Sequence, residues 1–171
     1  MRQKLILTFI TPMILVEVAS AAMADTDTKG PFTFAKTNTS VFFYAAPPVN
    51  GEATIDGVQL QPGDVVAAFV NKDSVNDLCI GAWEVTTTGA YGSMAAYGDD
   101  PTTGEKDGAY GGEIVKFKIW QKDTDIISYA VPQGPDSTVW TSDGSVFNVG
   151  LAATSGISAD SNGVRKDVFS Q

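Results

Sequence analysis

The chain predicts an all-β fold, an antiparallel β-sandwich of jelly-roll or immunoglobulin-like layout with little helix, and three observations carry that prediction. Turn signals built on Gly, Pro, Asn and Asp recur at roughly eight- to twelve-residue spacing. No stretch repeats apolar residues at i, i+3 and i+4 over a useful length, as an amphipathic helix would. The runs between turns are rich in Val, Ile, Phe, Tyr and Trp, which fit a pleated, half-buried surface.

Residues 1–24 are read as a secretory signal peptide. Arg2 and Lys4 give a positive start, residues 5–18 are largely apolar, and Ala22-Met23-Ala24 supplies the small residues of a cleavage site before Asp25. Pro12 and Glu17 interrupt the apolar run and make it a poor membrane span. The expected compartment is therefore extracellular or periplasmic, with no membrane attachment after cleavage. Residues 25–153 form the expected single β-sandwich domain, and residues 154–171 a C-terminal tail without fixed structure.

Within the domain, residues 25–30 read as a polar, mobile lead-in. Phe32 and Phe34 alternate with Thr33, and residues 41–44 resume a β-rich run that stops before Pro47-Pro48. Asp56-Gly57 is a tight-turn dipeptide between residues 53–55 and 58–60, which predicts a small hairpin. Residues 65–70, V-V-A-A-F-V, are apolar on both faces and predict a central strand covered on each side. Residues 79–87 follow, with Cys79, Gly81, Trp83 and Val85 expected on one face. In the strand at 91–97, Met94 and Ala96 are expected inward, with Tyr91 and Tyr97 on the opposite face. The clearest alternation lies at 113–120: Val115, Phe117 and Ile119 point one way, Lys116 and Lys118 the other, with Trp120 on the lysine side. A strand at 126–131 comes next. Ser142-Asp143-Gly144 signals a second hairpin between residues 138–141 and 146–149. The expected core is Phe34, Val41, Phe43, Val66, Ala68, Trp83, Val85, Met94, Val115, Phe117, Ile119, Val139, Val149 and Leu151.

Composition excludes several kinds of chemistry. The chain has no His and one Cys, so Ser-His-Asp and Cys-His nucleophile systems and the usual zinc sites are ruled out. Cys79 cannot form an intrachain disulfide, and its apolar strand predicts a buried, inert thiol. The net charge is −9; loss of Arg2, Lys4 and Glu17 with the signal would make it −10. Such a surface repels nucleic acid and anionic lipid.

Asp99, Asp100, Glu105 and Asp107 crowd one loop with Gly98, Gly104, Gly108, Thr102 and Thr103. Ca²⁺ takes about six to eight oxygens from carboxylates and carbonyls on adaptable loops, and this segment could supply most of them. The spacing is not that of an EF-hand. The alternative is a solvated acidic turn in which D-D-P and D-G serve turn geometry and Lys106 neutralises part of the charge. A second, fainter acidic candidate is Asp160-Ser161-Asn162-Gly163 with Asp167.

One set of motifs resembles a recurrent module of secreted bacterial multidomain proteins, found beside cohesin, dockerin or carbohydrate-binding domains. It comprises G-D-V-V-A-A-F from Gly63, C-I-G from Cys79, G-A-Y from Gly89, Y-G-D-D-x-x-T from Tyr97, D-G at Asp107 and G-E-I-V-K-F-K-I-W from Gly112. The resemblance spans residues 32–151 and implies a jelly-roll sandwich; it implies no settled activity.

Three function classes emerge. The first is a non-catalytic calcium-binding module for adhesion to a polysaccharide or cell surface, with Tyr91, Tyr97, Tyr110 and Trp120 as ligand-binding rings. The second is a structural subunit of an extracellular filament, sheath or matrix, polymerising by strand exchange. An enzyme is the disfavoured third, because only paired carboxylates such as Asp99 or Asp100 with Glu113 remain for acid–base work.

Overall fold

The structure, a computed structural model, describes residues 25–47, 51–134, 136–155, 157–159 and 165–167. The predicted signal peptide and the acidic candidate at Asp160 to Gly163 lie outside these residues. The described chain is all β, with no helix. Among the described residues, strand β1 (Asp25–Lys29) pairs only with β2 (Phe32–Lys36). A three-stranded sheet runs β11-β3-β8, from β3 (Ser40–Ala45), β8 (Tyr91–Tyr97) and β11 (Val146–Asn148). A seven-stranded sheet runs β5-β4-β12-β10-β9-β6-β7. Its members are β4 (Ala53–Ile55), β5 (Val58–Gln59), β6 (Val65–Asn71), β7 (Asp77–Glu84), β9 (Lys116–Gln121), β10 (Ile126–Gln133) and β12 (Gly150–Ala153). Beyond it, β13 (Ile157–Ala159) pairs with β14 (Arg165–Asp167).

The two larger sheets face each other as a sandwich. Val41 and Phe43 of β3 and Met94 and Ala96 of β8 meet Val66, Ala68 and Val70 of β6 and Phe117 and Ile119 of β9, all essentially buried. Phe43 meets Phe117 edge to face, with ring centroids 5.2 Å apart. The alternation in β9 is as predicted, and Lys116, Lys118 and Trp120 lie on the outer face of the seven-stranded sheet.

That outer face carries a second apolar cluster. Val65, Ala67 and Phe69 of β6, with Cys79 and Ala82 of β7, pack against Phe32 and Phe34 of the N-terminal hairpin. The all-apolar run of β6 is thus covered on both sides, as predicted, and the cover on the outer side is the hairpin.

Several expectations are corrected. The supposed mobile lead-in is strand β1, because Asp25, Asp27 and Lys36 form ion pairs across the hairpin and Thr28 bonds Thr33. The Asp56-Gly57 hairpin forms, with both residues at positive φ, whereas Ser142-Asp143-Gly144 joins no hairpin. There β11 runs parallel to β3, and the Asp143 carboxylate accepts the Ser40 amide at 2.7 Å. β12 likewise runs parallel to β4, so the larger sheets are mixed. Within the expected tail, residues 157–159 and 165–167 are β13 and β14.

Two bulges account for the register errors in β7 and β8; a further error, Val139 half-buried where the core was expected with Trp140 buried beside it, lies outside them. On β7, Ala68 pairs with Gly81 and Phe69 with Cys79, so Ile80 is an extra residue. Gly81 and Trp83 keep the inner side while Cys79 turns outward beneath the hairpin. On β8, Phe43 pairs with Met94 and Ala45 with Tyr91. The extra residue at 92–93 turns Tyr91 from the outer face into the core.

Candidate functional site

The acidic loop is braced at its base by backbone pairing. The Asp99 amide donates to the Ala109 carbonyl at 2.9 Å and the Ala109 amide to the Tyr97 carbonyl at 3.0 Å. Gly108 permits the close approach, since a Cβ there would stand 2.1 Å from the Gly98 carbonyl oxygen. The carboxylates then tie the loop together. Asp99 Oδ1 accepts the Asp107 amide at 2.9 Å, and Asp107 Oδ1 accepts the Asp100 amide at 2.9 Å. Asp100 Oδ1 takes both the amide and the hydroxyl of Thr102, at 2.9 and 2.7 Å. Those bonds from Thr102 hold the Asp100 carboxyl below the usual aspartate range.

The four predicted calcium ligands share one loop, and in three of them, Asp99, Asp100 and Asp107, Oδ1 accepts one of its amides. Glu105 is exposed, and its carbonyl, not its carboxylate, accepts the Thr103 hydroxyl at 3.0 Å. Among the described residues no three acidic side chains gather into a set that could hold a metal ion. One oxygen, Asp107 Oδ2, is buried without a partner. The loop's own hydrogen bonds form a turn in which Asp99, Asp100 and Asp107 each accept an amide.

Glu113 closes the far side of the loop. One carboxylate oxygen pairs with the Lys106 ammonium and the other accepts the Tyr110 amide at 2.8 Å. Asp99, Asp100 and Glu113 are thus all occupied in holding backbone or a cation.

The four predicted ligand-binding rings differ in exposure. Tyr91 is fully buried and its hydroxyl donates to the Val149 carbonyl; burial drives its pKa upward. The ring faces the core and not the outer face expected for it, because of the bulge in β8. Tyr97 is half-buried and stacks on Phe34, with centroids 6.0 Å apart. Trp120 donates its indole N–H to Asp125 at 2.8 Å and lies under Gly30, where a Cβ would come within 2.8 Å of the ring. Gly30, at φ 51°, is the turn residue that lets the hairpin lie down on the indole. Tyr110 alone is well exposed, with the Lys106 ammonium 4.6 Å from its centroid.

No family model, curated protein or solved structure matches the chain. The sandwich architecture is consistent with a jelly-roll-like module.

Sequence reasoning missed other residues that shape the surface. Lys118 bonds Asp77 at 2.9 Å and places its ammonium 4.3 Å from the Phe69 ring and 4.8 Å from Tyr129. It stands at the border between the hairpin-covered cluster and β10. Past that border the outer face of β10 carries Ile127 and Val131, 45 % and 43 % exposed. The period-2 pattern of β10 gave the signal, since Ser128 and Ala130 point inward and are buried. Trp140, also missed, is buried with its indole donating to the Ala96 carbonyl at 3.0 Å.

Proposed function

We propose that the protein is an exported, non-catalytic contact module that mediates adhesion to a cell-surface or matrix component through the outer face of β10. The observation that carries this reading is the half-exposed pair Ile127 and Val131 in a region whose strands, β4, β5, β10 and β12, hold no charged residue. In a chain of net charge −9, such a strip is where a macromolecular partner can bury apolar surface, with Lys118, over the Tyr129 ring, as the charge at its border. The reading uses no cation and no aromatic platform: the aspartates of the loop are engaged with backbone amides, and one exposed ring, Tyr110, is too little for a flat sugar site.

The test is retention of the purified protein on cells or matrix of the producing organism. Ile127→Lys together with Val131→Lys should reduce retention to background while the protein stays folded. Undiminished retention would overturn the reading.

A second reading, a structural subunit of an extracellular filament, sheath or matrix, is favoured by a different observation. The β1–β2 hairpin is a sheet of its own, attached to the sandwich by side chains rather than by a ladder.

A further inference from the structure

The hairpin that favours the subunit reading, on which this inference rests, is self-contained. β1 and β2 satisfy each other across five register pairs and share no ladder with the seven-stranded sheet. The polar contacts of this hairpin are internal: Lys29 with Asp27, Lys36 with Asp25 and Asp27, and the Thr28 hydroxyl with Thr33. Apolar burial holds it to the sandwich, with Phe32 and Phe34, each 6 % exposed, on Val65, Ala67, Phe69, Cys79 and Ala82. Phe32 meets Phe69 edge to face at 5.6 Å.

Two further features make this plug transferable. Residues 25–36 carry two aspartates and two lysines, so the hairpin is neutral in a chain of net charge −9. Docking it on another copy adds no repulsion between plug and acidic body. The connection to β3 is also short, Thr37 to Thr39, and is pinned to the body where Thr37 Oγ1 donates to the Gly98 carbonyl at 2.6 Å. The hairpin seats on its own body across this hinge, but three residues leave little slack, so a hairpin that opens extends away from its own body toward a neighbour.

We propose that the N-terminal hairpin is exchanged between copies of this chain, each copy seating its Phe32 and Phe34 on the β6–β7 outer face of the next. No backbone ladder is broken by the transfer, because none joins hairpin to sheet. The contacts are the same within and between copies, so protein concentration and hinge geometry set the balance. A head-to-tail transfer of this kind continues into open chains.

Cys79, on the floor of the plug site, supplies the test. In the Phe32→Cys variant of the mature protein, mild oxidation should link the introduced thiol to Cys79 of whichever copy receives the hairpin. The expected result is a reductant-sensitive ladder of dimers and larger species on a denaturing gel, absent when Cys79→Ser is added. The unmodified protein should show concentration-dependent dimers and larger forms in light scattering, and three glycines inserted after Asn38 should shift it at least several-fold toward monomer. A crosslink confined to the monomer band, or a strictly monomeric unmodified protein in light scattering, would overturn the exchange. Surface retention that depends on Ile127 and Val131 in a strictly monomeric protein would leave the adhesion reading standing while the exchange fell.

Discussion

The outer face of the seven-stranded sheet is treated in two different ways on either side of Lys118. On the β6–β7 side it is covered: Phe32 and Phe34 close over Val65, Ala67, Phe69, Cys79 and Ala82. On the β10 side Ile127 and Val131 remain nearly half exposed. The covered side is more apolar, and the difference follows from cost. Leaving Phe69 and its neighbours in water would forfeit several side chains' worth of burial, about 1.5–3 kcal/mol each. Two half-exposed aliphatic residues among threonine, tyrosine and alanine cost far less, and they can be kept for a partner.

Substitutions should separate the two sides sharply. Phe32→Ala removes a buried ring from the covered side and should destabilise by about 3 kcal/mol, read from urea unfolding, while Ile127→Ala should cost less than about 1 kcal/mol. Equal costs would mean that the hairpin adds no more burial than an open strand. The same substitution should speed labelling of Cys79 by a thiol reagent about a hundredfold, if hairpin opening limits access and 1.4 kcal/mol is a factor of ten. In the intact protein the thiol should stay unreactive at neutral pH, because burial pushes its pKa up to about 11. Rapid labelling of the intact protein would show the covered side to be open.

A smaller effect should appear at the border. Burial raises the Asp77 pKa, but Lys118 and Lys116, at 2.9 and 3.1 Å, outweigh it and hold the carboxyl below the ordinary aspartate value. A depressed pKa in the folded state contributes stability that is present above the unfolded value and is lost as pH falls through the folded one. Asp77→Asn should therefore flatten the acid limb of the stability profile without changing its shape near neutrality. An unchanged acid limb would remove Asp77 from the border. Calcium should do least: with the aspartates of the acidic loop turned onto amides, millimolar Ca²⁺ or a chelator should leave the melting temperature where it was. A rise of several degrees would show that the loop reorganises around the ion.

The sequence was informative wherever one residue's neighbours decide its fate. The alternation of Val115, Phe117 and Ile119 with Lys116 and Lys118, the two-sided burial of β6 and the Asp56-Gly57 turn were all legible, because each follows from local periodicity or turn chemistry. Tyr91 and Cys79 were placed on the wrong faces because a bulge adds one residue and leaves no mark in an alternating pattern. The parallel partner of β11 was hidden for another reason: Ser142-Asp143-Gly144 has hairpin chemistry, and only the distant Ser40 amide shows what the aspartate does. For the acidic loop, composition identified the residues that matter together but not the direction their oxygens face. That direction is set by Gly108 lying against Gly98.

Gly81 has a consequence of its own. A Cβ there would stand 1.9 Å from the Ala95 carbonyl oxygen, so strands β7 and β8 touch backbone to backbone and leave no slack between the layers along that seam. A methyl group at position 81 would therefore have to pry the two layers apart, and that seam fixes their spacing for the whole sandwich.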